Sequence, residues 1–428
     1  MNKFRTVKPG TRLAFNPGYN VLLGQNGTGK TTLLNLVAAA IKSNFADFKD
    51  EEFDLSYELE SDKATATLSV RNQNRALPIS LNLKDIAFEH PQPGAWVSEG
   101  VMHSPSLSVS TSISSKKTGL HVQLDLENQR GSARRTDEAV PGPSLEFDLS
   151  LLKNFPPWVL LVTALEQWGD KTSTPRELLS DFRELFLEST TSRFDESLEY
   201  FNKLGELPLE LFRYPDGHIA SSGALDPTGV MNEPLGSQAR GKWGAPEYLL
   251  TDANLQPLKQ TLQLLDFESA EAILELVDSL KGQQIDMMRL GNLRFYFSHR
   301  GGWKISEKML SYGQKRVLSF MFYLSTAKST VIADELVNGL HHRWIRACFE
   351  ALGPRQVFLT SQNPLLLDYL SFKSPEEVRS AFVLCRWEKG PEQMVWENMS
   401  QEAAADFFDS YKVGFQQVGE LLQSKGLW

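Results

Sequence analysis

The sequence predicts an α/β protein with a mainly parallel core sheet, an antiparallel β subdomain and a helical insertion. Three observations predict it. Near the start, the apolar "NVLL" runs into a glycine-rich turn and then into leucines at helical spacing. Between residues 53 and 151 the apolar residues fall at every second position in several separate runs. From Asn292 onward, apolar runs alternate with helical patterns, the mark of a parallel sheet with covering helices.

The first element covers residues 1–52. Leu33, Leu34, Leu36, Val37 and Ile41 share one helical face after the turn at Gly24. Residues 53–151 form the second. "KATATLSV", "LPISLNL", "LHVQLDL" and "LEFDLSL" each alternate as half-buried strands do. Within it the Ser-rich "SPSLSVSTSISSKKTG" reads as a mobile segment or an edge. The third element, 152–290, is expected to be helical. "TPREL" places Thr174 at a cap and Pro175 at the first helical position, and "SAEAILELVDSLKG" reads as a helix stopped by Gly282. The Gly/Pro-rich stretch between them, residues 220–248, has no periodicity and reads as a long loop. The last element, 291–428, contains strands at "LRFYFS", "GWKIS", "TVIADE" and "QVFLTSQ", helices at "GQKRVLSFMFYLSTAK" and "HHRWIRACFEALG", and then a hairpin and a final helix.

Composition narrows the function classes. The chain has 428 residues, 41% hydrophobic and 23% charged, enough for a large core. Its net charge of −9 argues against a surface broadly coated for nucleic acid or anionic membrane. Two distant cysteines, Cys348 and Cys385, exclude a disulfide framework and fit a reducing compartment. The first residues have no apolar core of a signal peptide, and "WVLLVTAL" is too short to span a bilayer. The expectation is a cytoplasmic protein without a membrane partner.

Three segments carry chemistry. "GQNGTGKTT" satisfies G-x-x-x-x-G-K-[ST] through Gly24, Gln25, Asn26, Gly27, Thr28, Gly29, Lys30, Thr31 and Thr32. Such a loop curls backbone N–H groups around phosphates at a helix N-terminus, so these residues are expected to bind ATP. Lys30 reaches the β- and γ-phosphates and the Thr31 hydroxyl goes to Mg2+. The alternative is a glycine turn before a helix. In "TVIADEL", three apolar residues carry Asp334 to a strand end, where it can hold Mg2+, while Glu335 faces another way and can take a proton from water. An apolar strand that meets solvent at two acids is the plainer reading. In "LSYGQKR", Ser311 and Gly313 open a helix as an anion site, or Ser311 simply caps a core helix. The adjacent His341 and His342 point about 100° apart on a helix, a poor chelate, which favours a helix-start role over a metal site.

Together, "GQNGTGKT", "LSYGQKR" and "VIADE" resemble the Walker A, signature and Walker B elements of an ABC-type ATPase, in that order. The long insertion between the first and second is similar to the SMC/RecF/OLD-like branch, within the P-loop and AAA family ATPases. "DELVNGLHH" resembles that branch's "DEPxNGLHP", and "FLTSQNPLLLD" its "TTHSPxxLD". The resemblance covers about 1–50 and 290–370. It implies an ABC-type head whose cofactors are ATP and Mg2+. Glu335 and Gln362 are catalytic, and Ser311, Tyr312, Gly313 and Gln314 contact a γ-phosphate in trans. Where the family usually has a histidine, Gln362 can donate an amide hydrogen but cannot carry charge. The implied protein is a homodimer or higher even oligomer that switches with ATP in DNA maintenance, DNA repair or antiviral defence. Its implied partners are DNA and a separate effector such as a nuclease. No Asp-x-Asp pair signals a fused one. Two alternatives stand beside this: a protein-binding sensor or scaffold with slow hydrolysis, and the ATPase subunit of a membrane transporter.

Overall fold

The computed structural model describes residues 1–78, 96–98, 101–116, 120–125, 130–135, 145–148, 193–195, 198–206, 208–221, 229–414 and 416–427. The expected cap at Thr174 and the "WVLLVTAL" run lie outside them, as does most of "LPISLNL". The chain forms two compact units, each assembled from separate stretches.

The first unit comprises Met1–Ala14, Gly24–Thr190 and Val383–Asn398. Its helix Lys30–Lys42 buries Leu33, Leu34, Leu36, Val37 and Ile41, the predicted face. Its sheet is antiparallel throughout. In order it runs Lys3–Phe4, Phe53–Glu60, Ala64–Pro78, Val101–Ser115, Leu120–Asp125, Arg130–Arg135 and Leu145–Asp148, with Trp96–Ser98 also paired to Val101–Ser115. Period two is visible in the burial: Ala64, Ala66, Leu68 and Val70 are all buried. The Ser-rich segment is a correction. Val101–Ser115 pairs with Ala64–Pro78 on one side and Leu120–Asp125 on the other, so it is interior to the sheet. Backbone pairing to both neighbours decides its place, whatever the composition suggests. Residues 383–398 add an antiparallel hairpin in which Cys385 faces Trp396 and Trp387 faces Met394.

The second unit comprises Phe15–Leu23, Thr191–Phe382 and Met399–Trp428. Three parallel strands lie at its centre: Tyr19–Leu23 beside Gln356–Thr360, and Gln356–Thr360 beside Thr330–Ala333. All four residues of Thr330–Ala333 are buried. Phe194 adds a parallel bridge to Ala333. An antiparallel sheet follows the order Ile219–Ser221, Leu209–Arg213, Asp286–Ser298, Ser269–Leu280, Glu247–Thr251. The helices Tyr312–Thr326 and His342–Leu352 contribute Val317, Leu318, Phe320, Met321, Ile345 and Cys348 to one apolar core.

Two expectations for the middle of the chain are overturned. "SAEAILELVDSLKG" is a strand, Ser269–Leu280, not a helix. It pairs with Asp286–Ser298 and Glu247–Thr251, and these partners outweigh the helix propensity of its Ala, Leu and Glu residues. The Gly/Pro-rich stretch is partly regular. Asn232–Gly241 is a helix that buries Leu235, Gly236 and Ala239, with Pro234 in its first turn, where a missing N–H costs nothing.

Candidate functional site

In the first unit the loop from Gly24 to Gly29 is shaped by three glycines with left-handed φ: 148° at Gly24, 83° at Gly27 and 84° at Gly29. Two of them are also boxed in. A Cβ on Gly24 would run into the Cys385 carbonyl, and one on Gly29 would lie 2.6 Å from Met394 Sδ and 3.0 Å from the Trp396 ring. Trp396 is buried, and its indole N–H donates to the Thr28 carbonyl at 3.0 Å. Thr28 closes the turn by donating its hydroxyl to Gln25 O at 2.7 Å. The Lys30 ammonium is drawn back over the loop, donating to Gly24 O at 2.7 Å and Gln25 O at 3.1 Å. Gln25, Asn26 and Gly27 are exposed at the loop crest. Thr31 is exposed at the helix start, and Thr32 accepts from Arg5 Nη1 at 3.3 Å.

The second unit builds the acid pair. Thr330–Ala333 delivers Asp334 and Glu335 at its end, both 7% exposed. Thr360, at the end of the neighbouring strand, serves both. Its hydroxyl donates to Asp334 Oδ1 and accepts from the Glu335 N–H at 2.9 Å. Asp334 Oδ2 accepts from Arg193 Nη1 at 2.6 Å. Glu335 has φ of 49°, a left-handed conformation that costs a non-glycine residue on the order of 1 kcal/mol. There the Glu335 carboxylate accepts from the Gln362 main-chain N–H at 2.9 Å. The Gln362 side chain is exposed. The two carboxylates therefore accept from different groups, and such bonds offset the cost of burying a carboxylate oxygen.

Ser311 opens the helix Tyr312–Thr326 in a reciprocal capping box. Its hydroxyl accepts from Gln314 N at 3.3 Å, and Gln314 Oε1 accepts from the Ser311 N–H at 2.8 Å. Ser311 and Tyr312 remain exposed while Gly313 is buried. A Cβ on Gly313 would lie 2.8 Å from Gly339 O and 3.0 Å from the Trp344 ring, so the helix start sits tightly on the "NGL" turn. Within this unit Arg316 links helix to acids. Arg316 is 1% exposed, and its guanidinium donates to Glu335 O at 2.8 Å, Leu336 O at 3.2 Å and Asp195 O at 3.0 Å. Burial pulls its pKa below the usual arginine value. His341 caps the next helix, its Nδ1 accepting from Arg343 N at 3.4 Å. No cluster of three or more potential metal ligands of the His, Cys, Asp or Glu type occurs among the described residues.

Sequence reasoning missed Thr360, Arg193, Arg316 and Trp396. Thr360 carried a usable signal, a polar residue ending the apolar run "QVFL", as Asp334 ends "TVIA". Arg193 sits in the unpatterned "TTSRFDES" and carried none.

A glycine loop gripping a lysine, together with a buried acid pair at the end of a parallel strand, defines a P-loop ATPase class of protein. The chain belongs to the family described as "AAA domain, putative AbiEii toxin, Type IV TA system", whose model matches residues 128–368, more than half of it. Residues 1–145 also match a model described as an AAA domain. No curated protein matches the chain. Among solved structures it is similar to an Smc head bound to the C-winged-helix domain of ScpA, at 11% identity and TM-score 0.36, covering 91% of this chain and 93% of that one. It is also similar to the SMC head domain from Thermotoga maritima, at 10% identity and TM-score 0.34, covering 93% and 96%. A third is the Pyrococcus furiosus Smc head with an extended coiled coil bound to the C-terminal domain of ScpA, at 10% identity and TM-score 0.32, covering 93% and 94%. No helix among the described residues is long and apolar enough to cross a membrane.

Proposed function

We propose that this chain is an ATP-hydrolysing nucleotide switch of the SMC/RecF/OLD-like kind, working as a dimer with a separate effector in DNA maintenance or antiviral defence. One observation carries the reading: Asp334 and Glu335 are adjacent and buried, and their carboxylates accept from different donors, Thr360 and Arg193 for the first and the Gln362 N–H for the second. Two acids so divided suit two tasks, one on a metal shell and one on a water.

The residues divide the work as follows. Backbone N–H groups of 24–32 wrap the phosphates, and Lys30 exchanges its two carbonyl partners for phosphate oxygens. The Thr31 hydroxyl and the Asp334 carboxylate are hard oxygen donors that would hold Mg2+, which when bound would neutralise phosphate charge. Glu335 takes a proton from the water whose oxygen attacks the γ-phosphorus. The bond to the β-phosphate oxygen breaks, and ADP and phosphate leave. The Gln362 N–H holds Glu335 in line, and its exposed amide can donate to a γ-phosphate oxygen. Ser311, Tyr312, Gly313 and Gln314 meet the phosphate of a second protomer, which makes the dimer depend on ATP. The net charge of −9 favours a protein ligand for the insertion over DNA.

Glu335→Gln is the test. It keeps side-chain size and removes the base, so bound ATP persists and an ATP-dependent dimer accumulates in size-exclusion chromatography. A variant that stays monomeric and turns over ATP at the wild-type rate would refute both the base and the shared site.

A further inference from the structure

We propose that Arg193 is a resident cation at the metal position of Asp334, a guanidinium that neutralises this carboxylate in the nucleotide-free chain and is displaced when Mg2+ arrives with ATP. The inference rests on the reading of Asp334 as the metal ligand. It starts from the carboxylate itself. Thr360 holds Oδ1, and Arg193 Nη1 takes Oδ2 at 2.6 Å. The pair is dry on the acid's side, with the Asp334 side chain 10% exposed, while the Arg193 side chain is 25% exposed. A divalent ion and a guanidinium cannot share that oxygen at contact distance, because two cations in a poorly solvated site repel strongly. One must leave, and the more exposed partner has the path.

The backbone of Phe194, the residue after Arg193, is tied to the neighbouring strand, so the exchange is a motion of the Arg193 side chain. The Asp334 N–H donates to Phe194 O at 2.7 Å, and the Phe194 N–H donates to Ile332 O at 2.8 Å. Phe194 is buried against Phe320 and Tyr323. The next residue offers its carbonyl to Arg316, which also grips the Glu335 and Leu336 carbonyls. Phe194 therefore anchors the segment 193–195 beside the strand Thr330–Ala333, and Arg193 carries a charged group that meets the acid. While paired, that group suppresses metal binding by the free chain and reserves Asp334 for a metal delivered with its nucleotide.

Mn2+ is the probe, followed by the loss of its free-ion electron paramagnetic resonance signal, with and without a non-hydrolysable ATP analogue. Arg193→Gln is expected to bind Mn2+ roughly tenfold more tightly than wild type, since one competing charge has gone. Arg193→Lys keeps a cation and is expected to stay near wild type. Asp334→Asn is expected to weaken Mn2+ binding in either background. If Asp334→Asn weakens binding but Arg193→Gln does not tighten it, Arg193 is a structural partner only and the inference falls, with Asp334 still the ligand. If Asp334→Asn changes nothing, the metal assignment falls and takes the inference with it. Side-chain 15N NMR of the arginines in the wild-type protein needs no variant to fold. An ion-paired guanidinium resonance that moves to the free-arginine position on adding Mg2+ and the analogue supports the exchange, and one that stays put overturns it.

Discussion

Thr360 makes two buried hydrogen bonds through a single hydroxyl. Its hydroxyl gives a proton to Asp334 and takes one from the Glu335 amide. Thr360→Val keeps the shape and removes both, leaving a buried N–H and a carboxylate oxygen short of partners. The expected cost is about 2 kcal/mol in urea unfolding, with turnover falling more than ATP affinity, because Lys30 and its loop are untouched. The glycines separate in the same way. Gly24→Ala pushes a methyl into the Cys385 carbonyl and is expected to abolish nucleotide binding. Gly27→Ala has open space around it and keeps most of the binding, losing on the order of 1 kcal/mol to its left-handed φ. Both thiols are expected to be silent. Burial pushes the pKa of Cys348, and likewise of Cys385, up to about 12, so at pH 8 both stay protonated. Iodoacetamide should label neither in the native protein and both in urea, as read by mass spectrometry. At this scale sequence showed the residues that end or interrupt a pattern, namely Gly24, Lys30, Asp334 and Glu335. Arg193 and Trp396 act across long sequence separations, and no local pattern marks such partners.

The strand Ser269–Leu280 shows how an element hides its type. Ala270, Ala272 and Leu274 are buried at period two, but register shifts between Ile273 and Glu275 and between Leu276 and Asp278 break the alternation. What remains in the sequence is a helix-like spacing in Ala- and Leu-rich text. Elements with an unbroken apolar face or run were legible: the helix Lys30–Lys42 by its face, and the strand Thr330–Ala333 and the helix Tyr312–Thr326 by their dense apolar runs, all fall where their patterns put them. The last of these has a dual start. Its capping box joins Ser311 and Gln314, which are also the proposed trans contacts. Ser311→Ala removes the cap and is expected to cost about 1 kcal/mol in thermal or urea unfolding. If the cap were its whole role, turnover measured well below the unfolding transition would not change. A fall in turnover with ATP binding intact marks the second role.

At the scale of the whole molecule the question is whether two protomers share each nucleotide. Every protomer carries both Lys30 and Ser311, so a shared site predicts that defects in the two complement each other. Lys30→Ala loses the charge that meets two phosphates and should not bind ATP. Ser311→Arg leaves the phosphate loop intact, so each protomer still binds ATP. It places a bulky cation at the N-terminus of Tyr312–Thr326, where it opposes the helix dipole and a close-packed phosphate contact, so dimerisation and turnover are lost. Each protein alone is inactive. In a mixed dimer, the intact loop of the Ser311→Arg protomer faces the intact signature of the Lys30→Ala protomer, and one complete site is restored. Partial ATPase activity on mixing is the expected result where one site suffices. Where the sites fire only together, activity stays absent but ATP-dependent mixed dimers form, visible by crosslinking two differently tagged chains. Neither activity nor mixed dimers, with both proteins folded by circular dichroism, would return Ser311 to the role of a helix cap and leave a P-loop ATPase that works one chain at a time.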